Sequence, residues 1–406
     1  MNKTLACLGL TLSIALSIPG IGMTVPLRLL GPDQSVTGDK LGWDEQIWGR
    51  CLERAESFRT RARGRCRWGS QLADKEALLE AIARSLEYLQ TPSAAAAYRQ
   101  YPVPGITRDR VMRSLEHFRV LLLLSQTPTE LQAAVQREFV LYKSVGEDGE
   151  GTVAFTGYFE PTYAASARPT AEYPYPLYRL PPDFANWSRP HPTRRELEGA
   201  DGLLGEKSPL RGLELVWLRD RFEAFLVHVQ GSARLQLTDG RVMTVGYAGK
   251  TDRPYTSVGG EIYRDGIMRL EDITLPALIS YFRASPQAMN RYLPRNRSFI
   301  FFQETNGIPA TGSLGLPVTA ERSIATDKSL MPPGALALIH TQLPYANARG
   351  ELEFRSVSRY VMDQDTGSAI KGAGRVDIFM GTGREAGDRA GLMNSTGELY
   401  YLLLKQ

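Results

Sequence analysis

Apolar positions recur every three to four residues across residues 44–145, and beyond residue 151 they alternate with polar ones, so the chain passes from helical to strand periodicity. Leu72, Leu79, Ile82, Leu86 and Leu89 form one stripe, and Val111, Leu115, Phe118 and Leu122 form another. Thr127-Pro128-Thr129-Glu130 reads as a capping box with proline in the first turn, opening a helix with Leu131, Val135 and Phe139 on one face. Stripes of this kind are core, not cofactor contacts.

After the glycine-bounded stretch 146–151, residues 152–158 alternate as a strand. The Pro- and Tyr-rich stretch 174–192 reads as an extended surface crossing. Residues 234–245 (RLQLTDGRVMTV) predict a hairpin, with Asp239-Gly240 as a tight turn between two alternating runs. Residues 271–284 return to helix, after which short strands at 299–303, 335–340, 360–363, 376–380 and 399–404 are separated by glycine turns. Many short strands with glycine-rich joins predict a small closed barrel, because closure removes open edges. The fold class is therefore mainly β, with an N-terminal helical region at about 40–150.

Asn2 and Lys3 precede an uncharged apolar run from Leu5, broken at Pro19-Gly20, so residues 1–27 read as a secretory signal peptide or an uncleaved N-terminal anchor. Cys7 lies before the apolar run, so no well-placed lipobox is visible. No second run reaches the ~20 residues needed to span a bilayer. The expected location is exported, in the periplasm, with membrane contact only through the N-terminus if that segment stays uncleaved. In an oxidising compartment Cys51 and Cys66 either pair or stay free, and spacing leaves both open.

Composition narrows the function classes. Over 406 residues, 43% are hydrophobic and 23% charged, a globular balance. A net charge of +4 from 48 basic and 44 acidic residues is too even for a nucleic-acid binder, although a slight basic excess suits an anionic substrate. Four His and three Cys are too few and too scattered for a zinc framework, and no metal or cofactor is expected. No phosphate-binding loop, HExxH or nucleophile elbow occurs, and Gly381-Thr382-Gly383 with Gly387 misses the dinucleotide spacing.

The chemistry concentrates near the C-terminus, where Asp363, Asp365 and Asp377 lie within fifteen positions on glycine-rich turns between apolar strands. Val376, Ile378 and Phe379 flank Asp377, and an aspartate in such a strand must be paired or protonated. The pattern alone leaves open a catalytic role or simple pairing of Asp365 and Asp377 with Lys371, Arg375 or backbone amides.

Seven segments in order make a family resemblance: TGYFEP (156–161), YPYPLYRLP (173–181), VQGSARLQLTDG (229–240), VGYAGKTDRPYTSVGG (245–260), NRSFIFFQE (296–304), TAERSIATDKSLMPPGA (319–335) and DTGSAIKGAGRVDIFMGTG (365–383). The chain resembles the membrane-bound lytic murein transglycosylase A family, which carries a C-terminal 3D domain named for three aspartates. The resemblance implies a double-psi β-barrel (151–165 and 296–406, with the 3D domain at about 320–404) interrupted by an inserted second β-rich domain at 166–295. The three aspartates map onto Asp327, Asp365 and Asp377, with Asp377 as the catalytic acid.

By the same resemblance the substrate is the glycan strand of peptidoglycan, cut between N-acetylmuramic acid and N-acetylglucosamine with a 1,6-anhydro product, and envelope or cell-wall synthesis proteins are expected partners. Asp365 and Asp327 are expected to support the acid or to serve structure. Lys371 is expected to bind glycan or peptide, or to pair with Asp365, and Tyr158, Glu160, Gln230 and Ser232 are candidate sugar contacts. Glu160 stands where some members carry threonine. Two other functions fit the pattern: a β-glycan hydrolase with paired carboxylates, and a non-catalytic glycan-binding envelope protein.

Overall fold

A computed structural model describes residues 25–31, 41–48 and 74–406. Residues 1–24 of the expected leader, and with them Cys7, lie outside the described residues, as do Cys51 and Cys66. Leu27, counted with the leader, instead opens the strand Leu27–Leu29 and pairs with Ser144.

The described residues divide into two compact units. One holds the residues up to Gly157 together with Gly312–Met380 and Ser395–Gln406. Its centre is a closed ring of six strands in the order Asn394–Leu404, Leu336–Ala346, Leu352–Asp365, Ser323–Ala325, Arg375–Thr382 and Val153–Glu160, the last pairing back to the first. This is the barrel expected from the alternating pattern. Its strands are not all short: Leu336–Ala346 and Leu352–Asp365, of 11 and 14 residues, form one long antiparallel hairpin from Leu336↔Met362 to Ala346↔Leu352. The glycine spacing concealed that length, because the turn sits at Asn347 and Gly350 with strand on both sides.

Helices Asp74–Leu89, Arg108–Leu124 and Pro128–Glu138 occupy the predicted helical region. Ile82, Leu86 and Leu89 are buried on the first as expected, with Leu78 buried where Leu79, half-buried, was expected, and Leu72 lies outside the described residues; Val111, Leu115, Phe118 and Leu122 are buried on the second. Thr127 caps the third helix by accepting from the Glu130 amide at 3.2 Å, while the Glu130 carboxylate reaches the Gln126 amide at 2.8 Å. The helical reading fails after Glu138. Phe139–Ser144 is a strand paired with Asn394–Leu404, because tertiary pairing overrides the apolar spacing that placed Phe139 on the helix.

The helices support the barrel through polar contacts as well as apolar ones. Gln364 Nε2 donates to the Ala81 carbonyl at 2.7 Å and to Ser85 Oγ at 2.9 Å. Arg322, fully buried, meets Asp44 at 2.6 Å and Asp74 at 3.0 Å. Removing either partner of such a buried pair leaves a charge without compensation.

The other unit comprises Tyr158–Thr311 and Gly381–Asn394. Its six-stranded sheet runs in the order Tyr175–Tyr178, Glu214–Leu218, Thr162–Ser166, Ser232–Leu237, Val242–Lys250 and Ile300–Glu304. The hairpin predicted at Asp239-Gly240 is present, with Gly240 at φ 86°. The Pro- and Tyr-rich stretch is not only a surface crossing. Tyr175–Tyr178 is the edge strand, where Pro176 is tolerated, and Tyr178 is buried. The unit is β-rich and also carries helices, of which the one read at 271–284 is present as Leu275–Ala284: helices Arg221–Gln230, Val258–Arg264, Leu275–Ala284 and Pro286–Tyr292 bury Phe222, Phe225, Ile262, Phe282 and Tyr292 in a second core.

Candidate active site

Asp377 lies on the strand Arg375–Thr382, three residues before that strand leaves the barrel unit. Alternation sends Val376 and Ile378, both fully buried, to the opposite face. Val376 and Ile378 therefore do not surround its carboxyl, whereas buried Phe379, two positions on, shares its face. The rest of its environment comes from neighbouring strands. Asp377 pairs antiparallel with Ala325, and Ala325 pairs parallel with Asp365 on its other side. Directly paired residues share a face, so the two aspartates project from the same side of the sheet with a small alanine between them. Two inter-strand spacings put their Cα atoms on the order of 10 Å apart.

A register irregularity between Ile324 and Ala325 sets this arrangement: Ile324 opposes Asp363, and Ala325 opposes Asp365, with Gln364 as the extra residue. A bulge re-aims successive side chains. Here Asp363 and Gln364 are buried and Asp365 is partly exposed.

Asp377 Oδ1 accepts a hydrogen bond from Thr156 Oγ1 at 2.9 Å. Burial pushes the carboxyl up to about 6; the Thr156 hydroxyl and Arg375 pull it down, and the charge of Asp365 adds to the rise. An acid in this range is substantially protonated in mildly acidic water and still exchanges its proton near neutrality, as general acid–base catalysis requires. Thr156 carried no signal in the sequence beyond lying within TGYFEP.

The other aspartates are engaged in backbone architecture. Asp365 Oδ1 accepts from the amides of Ser313 at 2.8 Å and Thr366 at 2.7 Å. Asp327 accepts from the Ser329 hydroxyl at 2.7 Å and from the Gly372 amide at 3.0 Å, tying the turn before the acid strand to the DKS segment. Burial raises the Asp327 pKa, but the Ser329 and Gly372 hydrogen bonds and the charge of Lys371 outweigh it, and the net shift is downward. Lys371 does not pair with Asp365; its Nζ lies 3.9 Å from Asp327, and the side chain is largely exposed.

Beneath the site lies a buried pair that the sequence did not single out. Lys328 meets Asp363 and donates to the Asp365 carbonyl, while Asp363 also accepts from Thr326 at 2.8 Å and Tyr401 at 2.7 Å. Burial raises the Asp363 pKa, against the pull of Lys328. The pair fixes the turn that carries Asp365.

Asp377, Asp365, Asp327 and Lys371 thus belong to the barrel unit, and Tyr158, Glu160, Gln230 and Ser232 to the other. Glu160 is buried, accepts from Thr382 Oγ1 at 2.7 Å and has Arg234 at 3.9 Å. Gln230 Oε1 accepts from the Phe159 amide at 2.9 Å, and Ser232 is buried opposite Gly246. Each has a structural task. Among the described residues, no group of three His, Cys, Asp or Glu side chains is arranged to hold a metal ion.

Two family models match the chain: the MltA specific insert domain over residues 154–303 and the 3D domain over residues 322–403. The membrane-bound lytic murein transglycosylase A of Escherichia coli is 32% identical over 259 residues, 63% of this chain and 67% of that protein. Among solved structures, the membrane-bound lytic murein transglycosylase from Agrobacterium tumefaciens is similar with a TM-score of 0.63 at 27% identity, covering 80% of this chain and 92% of that one. E. coli MltA with bound chitohexaose is similar with a TM-score of 0.62 at 26% identity, covering 80% and 90%.

Proposed function

The chain belongs to the membrane-bound lytic murein transglycosylase A family, and on that premise we propose that Asp377 is the one proton-transferring group of a peptidoglycan lytic transglycosylase. The substrate is the glycan strand of murein, a reading supported by the chitohexaose bound to the E. coli relative. The observation that carries the assignment is the carboxyl of Asp377, raised to about 6 by burial and hydrogen-bonded by the neutral hydroxyl of Thr156.

Protonated Asp377 gives its proton to the oxygen of the β-1,4 bond between N-acetylmuramic acid and N-acetylglucosamine, and the C1–O bond breaks with the electron pair leaving on that oxygen. The muramoyl C6 hydroxyl then attacks C1, and its proton passes to the Asp377 carboxylate. The products are a 1,6-anhydromuramoyl end and a free N-acetylglucosamine 4-hydroxyl, with the acid restored. No water is consumed, so the second carboxylate of an ordinary glycosidase is not required. Asp365 supplies negative charge on the same face, where a developing oxocarbenium ion is stabilised. Asp327 and Lys371 hold the preceding turn, and Tyr158, Glu160, Gln230 and Ser232 remain candidates for sugar contact.

Several relatives are named as membrane-bound, and we infer an envelope location in the periplasm. Among the described residues no helix is long and apolar enough to cross a membrane.

The test is product analysis of purified sacculi digested with wild type and with Asp377→Asn. Wild type releases anhydro-muropeptides, and the variant keeps its fold and releases none. Reducing-end products from wild type would instead identify a hydrolase, and substantial activity in the variant would move the acid to Asp365 or Glu160.

A further inference from the structure

The unit formed by Tyr158–Thr311 and Gly381–Asn394 contains a cavity of about 460 Å³, within the range of about 300–1,000 Å³ typical of small-ligand sites. Its lining includes none of the residues assigned above to the acid or to sugar contact. Phe222, Leu226, Ile279 and Phe282 supply apolar walls, from helices Arg221–Gln230 and Leu275–Ala284. Tyr163, Glu223 and Arg283 bring a phenol, a carboxyl and a guanidinium to the same space.

The remaining charges of the lining are spoken for. Asp220 caps its helix, accepting from the amides of Phe222 at 2.7 Å and Glu223 at 3.0 Å. Asp388 lies 3.7 Å from Arg384. By contrast, among the described residues the side chains of Tyr163, Glu223 and Arg283 make no hydrogen bond and no ion pair. Burial pushes Glu223 up to about 7, with Asp220 adding to the rise and Arg283 and Arg219 opposing it. Glu223 and Tyr163 are half-buried and Arg283 is exposed, so a ligand entering the cavity reaches all three, and no protein group competes for them.

We propose that this cavity binds a short peptide with a free carboxylate and small aliphatic side chains, the chemistry of murein's peptide stems. The proposal rests on the murein reading above. Arg283 is suited to the peptide carboxylate, since a guanidinium offers two parallel donors to a carboxylate. Glu223 accepts an amide or ammonium N–H of the same ligand, Tyr163 adds a hydroxyl, and the apolar walls take the aliphatic groups. A simple anion fits less well, because Asp220 and Glu223 face it. A bare sugar fits less well too, having more hydroxyls than three side chains can satisfy.

Two measurements decide it. In the first, the free tripeptide L-alanyl-γ-D-glutamyl-diaminopimelate is titrated into the wild-type protein, and the methyl resonance of Met289, which lines the cavity, is followed. A saturable shift that is lost in Arg283→Ala supports the site; an unmoved resonance overturns it. In the second, cleavage of peptide-bearing and of denuded glycan strands is compared in wild type, Arg283→Ala and Glu223→Gln. The variants are expected to lose about tenfold or more in kcat/KM on the peptide-bearing strand while keeping wild-type rates on the denuded one. An unchanged ratio between the two substrates, or equal losses on both, overturns the proposal while leaving the transglycosylase reading intact. If no strand is cleaved by wild type, that reading fails, and the Met289 titration still decides the cavity.

Discussion

Thr156 Oγ1 donates to Asp377 Oδ1 at 2.9 Å across adjacent strands, joining residues 221 positions apart. The bond favours the charged carboxylate, so it restrains the upward shift that burial imposes. Thr156→Val is expected to move the Asp377 pKa above its value of about 6, and the falling alkaline limb of kcat/KM should move to higher pH by up to about one unit. A pH–rate profile that does not move would separate Thr156 from the acid.

The raised Asp377 pKa also makes stability depend on pH. A carboxyl titrating at about 6 when folded, against about 4 when unfolded, stabilises the fold fully below pH 4, and that contribution disappears as pH rises through 6. Asp377→Asn has no such loss. Relative to wild type it should gain about 2 kcal/mol between pH 4 and pH 8, the two-unit shift being discounted for partial exposure. Urea melts at the two pH values measure the difference, and equal differences at both would contradict the assignment.

The Lys328–Asp363 pair predicts an asymmetric double-mutant cycle. Lys328→Met alone leaves a fully buried carboxylate without its counter-charge and should cost about 3–5 kcal/mol in a thermal or denaturant melt. Adding Asp363→Asn should restore part of that loss. An additive double mutant would mean the two side chains do not act as a unit.

Gly374 tests the close approach of two chain segments beside the acid strand. A Cβ there would fall 2.4 Å from the Glu147 amide nitrogen, and the Gly374 carbonyl already accepts from the Ala154 amide at 2.8 Å. Gly374→Ala should therefore destabilise the protein by about 1–3 kcal/mol through backbone displacement. A melt identical to wild type would show that the backbone shifts at no cost.

The barrel was legible because half-buried strands alternate, and the hairpin at Asp239-Gly240 because its turn chemistry is local. Phe139 was misread because an apolar residue after a helix looks the same whether the next partner is a helix face or the strand Asn394–Leu404. Among the site residues, Asp377 stood out for a reason only half right. An aspartate among apolar neighbours is unusual, but of those neighbours Val376 and Ile378 face away and only Phe379 shares its face; the shift arises from burial, with packing across strands contributing. Thr156, Lys328 and Asp363 could not be read as partners, since their meeting depends on pairings between distant segments and on one register irregularity. Of the two readings left open for Lys371, pairing with Asp365 gives way to Asp327, 3.9 Å away, a neighbour that sequence spacing does not show.

The six-stranded ring is completed only when Asn394–Leu404 slots in against both Leu336–Ala346 and Val153–Glu160. Without that segment two sheet edges are bare, one on each of those strands, and the barrel that holds the acid strand is open. A variant in which Asn394–Leu404 cannot pair would therefore be an aggregation hazard rather than a weaker enzyme.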